Sequence, residues 1–391
     1  MKVLEINSVC GIRSTGRICT DIAEVLQENG HKCIVAYGRE AAPEKYKDIS
    51  YRIGSDTDVK MHALKARFFD SAGFGSKKAT ERLIEKIKEY DPDIIHLHNI
   101  HGYYLNIDIL FNYLAVADKP VVWTLHDCWS FTGHCAHFDY ADCKKWICGC
   151  NNCPQKHGYP QSLLFDNSKT NWNMKKEIFN RLNNLTIVTP SKWLADLVSN
   201  SYLNKYSIKV INNGIDIGTF KYRDSNFKKK YKIEDKRVVL GVASVWDKRK
   251  GFEDFLKLAG LLNNNYVIVL VGLNEEQLKR IPKNIIGIKS TDSTQMLAEI
   301  YSAADVFFNP TYEDNYPTVN LEAQACKTPV ITYNTGGSPE SVIKNAIVEK
   351  GNLTDAVKLI EKSNLLDVLA VPEKNTQYEK YINLYKDILN L

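Results

Sequence analysis

The stretch DVFFNPTYEDNYPTVNLEAQACKTPVITYNTGGSPE, residues 305–340, decides the fold. A short apolar run leads through a polar loop into a helical pattern, and a second apolar run ends at two glycines. Two β-rich runs separated by one helix predict parallel strands with a crossover helix. Glu313 and Asp314 lie in the loop, and Glu322 follows in the helical pattern, which we expect to begin near Tyr316 or Pro317. Ligands of parallel sheets bind outside the carboxyl ends of the strands, so these carboxylates are placed for a polyhydroxylated, phosphate-bearing ligand.

The same alternation extends along most of the chain. The strand runs KVLEIN, KCIVAYG, DIIHLHN, PVVWTLHD and LTIVTPS come first, and the pattern restarts after IKVINNGID with RVVLGVAS and YVIVLVG. Strands alternating with helices predict parallel sheets covered by helices on both faces. We therefore predict an α/β protein with two Rossmann-like doubly wound domains, residues 1–205 and 206–372, facing an interdomain cleft. Residues 373–391 form a helical pattern that we expect to pack back on the first domain.

The composition is that of a globular protein. The 391 residues are 44% hydrophobic and 25% charged, and the formal net charge of +5 falls short of a nucleic-acid-binding signature. No apolar run reaches the roughly 18 residues that a membrane-spanning helix needs. The N-terminus enters a strand pattern without a secretory signal, which favours a cytoplasmic location. Basic segments at 60–78 and 228–230 leave open a peripheral contact with an anionic membrane surface.

A second segment places basic residues where a phosphate would bind. In GVASVWDKRKGFEDF, residues 241–255, a strand run is followed by Arg249, Lys250 and Gly251 at the start of a helical pattern. A helix N-terminus offers unpaired N–H groups and a positive dipole end, so a lysine there suits a pyrophosphate. For residues 305–340 a purely structural interpretation remains open. Asp314 would then be a helix N-cap and Glu322 an exposed helix residue.

Together these segments resemble glycosyltransferase family 4, a family of retaining enzymes with the two-Rossmann-domain GT-B fold. The family pattern runs from an acidic residue through seven residues, Glu-Ala, a turn and a strand to Gly-Gly-x-Pro-Glu. It is similar to DNYPTVNLEAQACKTPVITYNTGGSPE, residues 314–340, and KGFEDF, SAADVFFNPT, TPSKWLADLV and VINNGID extend the resemblance over nearly the whole chain. The resemblance implies a nucleotide-diphosphate sugar as the donor substrate and no catalytic metal.

The resemblance also implies roles for individual residues. Glu322 would bind the ribose hydroxyls, Lys250 the diphosphate, and Asp314 the region of the transferred sugar. Further donor contacts would come from Gly16, which we expect in the loop between the first strand and the first helix, and from Arg249, Asn315, Tyr316 and Pro317. His126, at the end of the strand run PVVWTLHD, would lie at the reaction centre and complete a catalytic group with Asp314 and Lys250. A purely structural histidine is the alternative at this position.

Three positions depart from the family pattern. Asp314 stands where the family has Glu, with Glu313 directly before it. Lys327 follows the helix where the family has Gly, which costs roughly 1 kcal/mol if a turn with positive φ is kept. The arginine that precedes the lysine in the family is absent, because Ser244 and Trp246 stand in that region.

Five of the ten cysteines fall within residues 135–153. A chain without a secretory signal is not expected to be a disulfide scaffold. One Cys-x-x-Cys pair has the spacing of a zinc knuckle, and two further thiolates would complete a structural zinc site. The candidate ligands are Cys135, Cys143, Cys150 and Cys153. Free thiols and disulfide or redox chemistry are the alternatives. These residues belong to an insert at 128–160 that directly follows His126 and would shape the acceptor pocket.

The sequence therefore predicts a retaining glycosyltransferase. We expect it to move a hexose or N-acetylhexosamine from a nucleotide-diphosphate sugar, with UDP favoured over GDP. The expected acceptor is lipid-linked or a saccharide, in the assembly of a bacterial capsule, O-antigen or exopolysaccharide, and no nucleic-acid partner is expected. Two alternatives remain open. A hydrolysing nucleotide-sugar epimerase of the same fold would need no acceptor, and a non-catalytic sugar-nucleotide-binding protein would show no turnover.

Overall fold

The chain folds into two compact units, each built around one parallel β-sheet. The computed structural model describes residues 1–391. The first unit comprises Met1–Asn212 and Asn375–Leu391, and the second comprises Asn213–Lys374. The predicted α/β fold with two doubly wound sheets is confirmed. No helix of the chain combines the length and the apolar character that crossing a membrane requires.

The first sheet has seven parallel strands in the spatial order β3-β2-β1-β4-β5-β6-β7. The strands are β1 (Lys2–Asn7), β2 (Lys32–Tyr37), β3 (Ser50–Arg52), β4 (Ile94–Leu97), β5 (Val121–Thr124), β6 (Leu185–Thr189) and β7 (Ser207–Val210). The helices are α1 (Arg13–Glu28), α2 (Asp56–Phe69), α3 (Lys77–Tyr90), α4 (Ile107–Ala117), α5 (Ser168–Phe179) and α6 (Lys192–Ser199). The strand order reverses between β1 and β4, so a ligand site is expected at the carboxyl ends of these strands.

The central strands of this sheet are buried on both faces. Leu4 and Ile6 of β1 pack into one core, whereas Val3 packs into the opposite core together with α1. Burial on both faces explains why these strands are continuous apolar runs in the sequence. Glu5 is the exception, since it lies in the middle of β1 and is fully buried.

The second sheet has six parallel strands in the order β10-β9-β8-β11-β12-β13. The strands are β8 (Arg237–Val242), β9 (Tyr266–Val271), β10 (Ile285–Ile288), β11 (Val306–Asn309), β12 (Val330–Tyr333) and β13 (Ile347–Val348). The helices are α7 (Phe227–Lys230), α8 (Phe252–Leu261), α9 (Glu275–Arg280), α10 (Thr294–Ala303), α11 (Thr318–Ala325) and α12 (Leu353–Glu361). Its switch point lies between β8 and β11, which carry the two sequence segments predicted to bind the donor.

The last helix, α13 (Lys374–Leu389), packs against the first unit. Tyr378, Tyr381 and Tyr385 are buried in the core that also contains α1. The Tyr381 hydroxyl lies 3.1 Å from Oγ1 of Thr124, and the Tyr385 hydroxyl lies 2.7 Å from Nδ1 of His96. The first unit is therefore completed by the end of the chain.

Candidate functional site

The residues after β8 form a turn that presents Lys250 at the start of α8. Asp247 accepts a hydrogen bond from the backbone N–H of Lys250 at 2.9 Å and caps this turn. Gly251 follows with a φ of +75°, and a Cβ there would lie 2.3 Å from the carbonyl oxygen of Pro310. Only glycine fits this position, which explains why a Lys-Gly pair precedes the helix.

Lys250 and Asp314 form an ion pair at the carboxyl end of the second sheet. Nζ lies 2.5 Å from Oδ2, and the two side chains are 21% and 17% exposed. Arg249 instead donates to the carbonyl oxygen of Glu313 at 3.0 Å, and its own carbonyl oxygen accepts from the N–H of Tyr312 at 2.7 Å. The structure thus joins Lys250 to Asp314, and Arg249 holds the loop on which Asp314 stands.

The helix α11 begins at Thr318, just beyond the predicted start at Tyr316 or Pro317. Pro317 is its N-cap, and no side chain caps this end of the helix. The interpretation of Asp314 as the N-cap is therefore wrong. Asn315 and Tyr316 are buried between the ion pair and the helix. Backbone N–H groups in an uncapped first turn are suited to an anionic phosphate.

Glu322 is buried on α11, so its interpretation as an exposed helix residue is wrong. The residue is 2% exposed, and the hydroxyl of Tyr301 donates a hydrogen bond to Oε2 at 3.0 Å. Carboxylates are rarely buried unless they are paired or have a binding role. The burial of Glu322 within a helix whose start is uncapped is compatible with ribose binding.

The two glycines after β12 allow one loop to pack closely on another. Gly336 has a φ of +55°, and a Cβ there would lie 2.0 Å from the carbonyl oxygen of Asp314. The N–H of Gly337 donates to the same oxygen at 3.1 Å. The Gly-Gly turn thus fixes the backbone of Asp314.

Sequence reasoning missed a buried network of neutral side chains that holds α11 against the sheet. Asn320 Oδ1 accepts from Asn309 at 2.8 Å, and its Nδ2 donates to the Ser341 hydroxyl at 2.8 Å. The hydroxyls of Thr332 and Ser338 lie 2.7 Å apart in the same region. Asn320 carries no charge and stands two residues before Glu322, so its polar character inside a helix was the only available signal.

In the first unit, a pocket lies at the carboxyl ends of β4 and β5. Residues that line it include His98, His101, His126, Asp127, Trp129 and Ser130. Nδ1 of His98 lies 3.0 Å from Nε2 of His126, and the two rings are nearly parallel, at 13°. Desolvation lowers the pKa of His126 to about 4. His126 is therefore a neutral imidazole at pH 7 and belongs to a histidine pair that its sequence position did not reveal.

The same pocket contains a hydrogen-bonded histidine and aspartate. Nε2 of His101 lies 2.7 Å from Oδ2 of Asp127, and Nδ1 of His101 lies 3.2 Å from the hydroxyl of Tyr159. Burial alone would raise the pKa of Asp127, but the charge and hydrogen bond of His101 hold it at about 2. Asp127 is thus an anion inside the pocket, one residue after His126.

A buried cluster of one glutamate and two histidines adjoins this pocket. Ligand atoms of Glu5, His96 and His98 lie within 4.8 Å of one another. Oε1 of Glu5 is 3.5 Å from Nδ1 of His96 and 3.6 Å from Nε2 of His98. Burial raises the pKa of Glu5 and lowers the pKa of both histidines. The overlooked signal was a single acidic residue inside the apolar run KVLEIN.

Gly16 does not lie in the loop that was predicted for it. Helix α1 begins at Arg13, so Gly16 belongs to the helix and is buried. A Cβ at Gly16 would lie 2.9 Å from Cγ2 of Val9. Close packing therefore accounts for this glycine without a ligand. The N-terminal end of α1 has no side-chain cap, and Ser14 in its first turn is exposed.

The cysteine-rich insert gathers the four predicted ligands around one small cavity. Cys135, Cys143, Cys150 and Cys153 line it, as do His134 and Trp146. Cys150 Sγ accepts a hydrogen bond from the N–H of Gly133 at 3.2 Å, and all ten cysteines are free thiols. The only set of three His, Cys, Asp or Glu ligand atoms within 4.8 Å of one another is the Glu5 group. The four sulfurs therefore share a cavity but do not converge on one point.

Two family models match the chain. The model described as Glycosyltransferase Family 4 matches residues 15–219, and the model described as Glycosyl transferases group 1 matches residues 223–382. Together with the two doubly wound sheets, these matches define the class: the chain is a glycosyltransferase of the GT-B type. It belongs to glycosyltransferase family 4. The second match contains Lys250, Asp314 and Glu322, and the first contains His126.

Curated relatives include transferases of polysaccharide and glycolipid assembly. The chain is 26% identical over 294 residues to the putative colanic acid biosynthesis glycosyl transferase WcaC of Escherichia coli K12, a match that covers 71% of this chain and 68% of that protein. It is 31% identical over 157 residues to the processive diacylglycerol alpha-glucosyltransferase of Acholeplasma laidlawii, covering 37% of this chain and 47% of the relative. The second match thus spans less than half of that relative.

Solved structures share the fold along the whole chain. Sucrose-phosphate synthase from Thermosynechococcus elongatus superposes with a TM-score of 0.73 at 14% identity, covering 100% of this chain and 99% of that one. The Anabaena protein HepE in complex with UDP-glucose superposes with a TM-score of 0.64 at 15% identity, covering 100% and 96%. At these identities the likeness establishes the fold alone.

Proposed function

We propose that this chain is a retaining glycosyltransferase that uses a UDP-sugar donor in the assembly of a bacterial surface polysaccharide. Three observations carry the proposal: the ion pair between Lys250 and Asp314, the uncapped start of α11 that follows Asp314 in the chain, and the burial of Glu322 within that helix. WcaC, named for colanic acid biosynthesis, supports the pathway class, and the HepE complex with UDP-glucose supports the choice of UDP. The transferred group is a hexose or an N-acetylhexosamine.

Lys250, Asp314 and Glu322 each have a part in holding the donor. Glu322 accepts hydrogen bonds from the ribose hydroxyls, and Lys250 with the first-turn N–H groups of α11 neutralises the diphosphate. Asp314 holds Lys250 until the diphosphate replaces it, and then contacts the transferred sugar. No metal ligand is needed in this scheme, because lysine and helix amides stabilise the leaving group.

The first unit binds the acceptor in the pocket that contains His126 and Asp127. In the reaction, the bond between the anomeric carbon and the diphosphate oxygen breaks, and a bond to the acceptor oxygen forms on the same face. The acceptor proton passes to the departing diphosphate. The proposed acceptor is lipid-linked or a saccharide, and one relative named for diacylglycerol supports the lipid-linked class.

Release of nucleoside diphosphate from a panel of UDP- and GDP-sugars tests this function, with and without a bacterial lipid extract. We expect release from one UDP-sugar that depends on the extract and is lost in Lys250→Ala. Release that does not depend on an acceptor would support a hydrolysing epimerase instead. Nucleotide binding with no turnover of any donor and extract would support a non-catalytic binding protein.

A peripheral membrane contact is part of the proposal and rests on an exposed apolar surface of the first unit. Helix α2 and the loop 163–165 meet there, because the N–H of Leu163 donates to the carbonyl oxygen of Arg67 and the rings of Phe69 and Phe165 stack. We call this the α2 surface. Its exposed apolar members are Met61, Leu64, Phe68, Phe69, Leu163, Leu164 and Phe165.

The occupant that fits the α2 surface is an anionic lipid bilayer. Exposed Lys60, Lys65 and Arg67 stand among the apolar side chains, and apolar anchors mixed with basic residues are typical of surfaces that bind anionic lipid. Single exposed apolar residues are ordinary, but a cluster of seven large ones indicates an interaction site. Such a contact would bring the enzyme to a lipid-linked acceptor.

Sedimentation with lipid vesicles tests this contact. We expect wild type to bind vesicles containing phosphatidylglycerol more tightly than pure phosphatidylcholine vesicles, and Phe68→Ser with Leu164→Ser to weaken binding about tenfold. Val116→Ser with Leu365→Ser removes two exposed apolar residues elsewhere and serves as the matched control. Equal binding by both double variants, or dimerisation through the α2 surface, would overturn the membrane assignment.

A structural zinc ion in the cysteine cavity is the remaining part of the proposal. Lys175 is buried nearby, where its Nζ donates to the carbonyl oxygens of Trp129 and Thr132 at 2.8 and 3.1 Å. Nε2 of His134, which also lines the cavity, is buried without a hydrogen-bond partner. Zinc binding would bring the four sulfurs of the cavity together, and four thiolates around Zn²⁺ carry a net negative charge that would compensate the buried ammonium group.

Metal analysis of the purified protein tests the zinc site. We expect one zinc ion per chain in wild type and in Cys148→Ser, because Cys148 is exposed and does not line the cavity. Cys150→Ser should lose the metal and unfold at a lower temperature. A metal-free wild type with four titratable cavity thiols would contradict this assignment.

A further inference from the structure

Two buried polar atoms without a hydrogen-bond partner face each other in the first unit. They are Oε1 of Glu5 and Nε2 of His98, and they lie 3.6 Å apart. Both side chains are 0% exposed. This separation is longer than a hydrogen bond, and a buried polar group left unpaired costs free energy. We therefore expect a small movement of the two side chains to close it around one proton that satisfies both groups.

The net charge of the contact decides where that proton lies. Burial and the neighbouring Asp21 both raise the pKa of Glu5. An ionised Glu5 beside a neutral His98 would leave an uncompensated negative charge in the core, which is the costly case. Three arrangements avoid it: protonated Glu5 donates from Oε1 to Nε2 of His98, the proton has moved onto that nitrogen, or Glu5 is protonated on Oε2 and its Oε1 accepts from Nε2–H of His98. The third would bury a hydroxyl on Oε2, which has no hydrogen-bond partner, so the first two are favoured. In both favoured arrangements Nδ1 of His98 carries a hydrogen.

His98 transmits this arrangement to His126. Nδ1 of His98 lies 3.0 Å from Nε2 of His126, a hydrogen-bond distance, so Nε2 of His126 must be the acceptor. A neutral imidazole has one N–H, which then lies on Nδ1 of His126. We propose that Glu5 is a positioning residue that holds His126, through His98, in the tautomer protonated on Nδ1.

A proton fits this group better than a metal ion does. Nδ1 of His96, which would be the third ligand, already lies 2.7 Å from the hydroxyl of Tyr385. Nε2 of His96 lies 2.8 Å from Oγ1 of Thr124, so both ring nitrogens have partners. A metal ion would have to displace the tyrosine from a site that solvent does not reach.

The inference rests on the proposed function at one point, the role of His126 in the acceptor pocket. A fixed Nδ1–H makes His126 a hydrogen-bond donor to a hydroxyl or ring oxygen of a sugar. Loss of the fixed tautomer would leave a mixture in which only part of the protein presents that donor. The effect is therefore expected in kcat, with the KM of the nucleotide sugar little changed, because the proposed donor residues belong to the second unit.

Nitrogen NMR of the full-length protein labelled with 15N-histidine tests the tautomer without any activity assay. The His126 signals are assigned by their loss in His126→Asn. We expect Nε2 of His126 to appear as an unprotonated nitrogen and Nδ1 as a protonated one. A wild-type His126 protonated on Nε2 would overturn the inference, whatever the outcome for the transferase activity.

Substitutions at Glu5 separate a hydrogen-bond donor from an anion. Glu5→Gln keeps a neutral donor of the same shape, so we expect the His126 tautomer and kcat to stay near wild type. Glu5→Met removes the donor, and kcat should fall by up to about a hundredfold, as when a mutation far from the reacting atoms displaces an orienting group. Tyr385→Phe removes one hydrogen bond from the same core without touching the His98–His126 contact, and serves as the control for destabilisation.

Three results would contradict the inference. Equal losses in Glu5→Gln and Glu5→Met would mean that a hydrogen-bond donor at this position does not set the tautomer. Equal kcat in Glu5→Met and Tyr385→Phe, with an unchanged tautomer, would mean that Glu5 is only a packing residue. Stoichiometric metal in wild type that is lost in Glu5→Gln would make the group a metal site.

Discussion

Lys250 pairs with Asp314 in the segment where the family pattern has an additional arginine. Trp246 is buried and hydrogen-bonded to the carbonyl oxygen of Val271, so that part of the turn offers no cation. Lys250 is therefore the basic residue proposed to contact the diphosphate, in competition with the carboxylate of Asp314.

Substitution of Asp314 should separate binding from turnover. In Asp314→Asn the ammonium group of Lys250 loses its competing anion, so we expect UDP to bind several-fold more tightly. We expect kcat to fall by at least about tenfold, because the group beside the transferred sugar is altered. Calorimetry of UDP binding together with donor kinetics measures both effects. Weaker UDP binding in Asp314→Asn would show that the carboxylate does not compete with the diphosphate.

The pH dependence of kcat should reflect the lowered pKa of His126. Desolvation places this pKa at about 4, below the ordinary histidine value. His126 gains its proton only as the pH falls toward 4, so the rate should be independent of this group from pH 8 down to about pH 5. A pH–rate profile measures this directly. An acid limb near pH 6.5 that disappears in His126→Asn would contradict the assignment.

At the scale of elements, helix α11 ends with a strained residue. The N–H of Lys327 donates to the carbonyl oxygen of Gln324 at 2.9 Å, and the N–H of Thr328 donates to that of Ala323 at 3.0 Å. This pair of bonds is a Schellman motif, which favours glycine at its left-handed position. Lys327 adopts it with a φ of +66°. The glycine turn of the family is therefore kept although its residue has changed.

Glycine at position 327 should give a more stable protein than alanine. Lys327→Gly removes the β-carbon from a left-handed position, and we expect it to be about 1 kcal/mol more stable than Lys327→Ala. Comparison with alanine rather than lysine is needed, because Lys327 also lies over the ring of Tyr222. Urea unfolding of the second unit measures the difference. Equal stability of the two variants would contradict the strain.

Element types were predictable because apolar runs and helical periods carry them, but several local features were not. Glu322 could not be recognised as buried, since its burial depends on Tyr301 of another helix. The start of α1 at Arg13 was missed because Gly16 looked like a loop glycine, although it is a packing position inside the helix. Glu5 was passed over because strand periodicity does not show which polar residues face each other in a core.

On the scale of the whole molecule, the C-terminal helix α13 belongs to the first unit, which is otherwise built from Met1–Asn212. Tyr378, Tyr381 and Tyr385 are almost completely buried in the first unit. The helical pattern of 373–391 predicted a helix, but only the structure supplies its contacts with Thr124 and His96. Strand order and switch points likewise follow from packing between distant segments and are not encoded in any local pattern.

The two units should therefore differ in their tolerance of truncation. Deletion of 375–391 removes three buried tyrosines from the first core, so we expect that chain to be insoluble or to lose its cooperative unfolding transition. Residues 213–374 contain their own sheet and both of its cores. We expect this fragment to fold alone, as measured by circular dichroism during urea unfolding. A stable 1–374 chain would contradict the role of α13.

The measurement that tests the proposed donor site most directly is calorimetric binding of UDP to wild type, Glu322→Gln and Glu276→Gln. Glu322→Gln keeps the size of the buried side chain but weakens the charged hydrogen bonds to ribose, so affinity should fall by about tenfold to a hundredfold. Glu276, exposed on α9, is the matched control and should leave affinity unchanged. Equal affinities in all three proteins, or no UDP binding by wild type, would contradict the donor site proposed around α11.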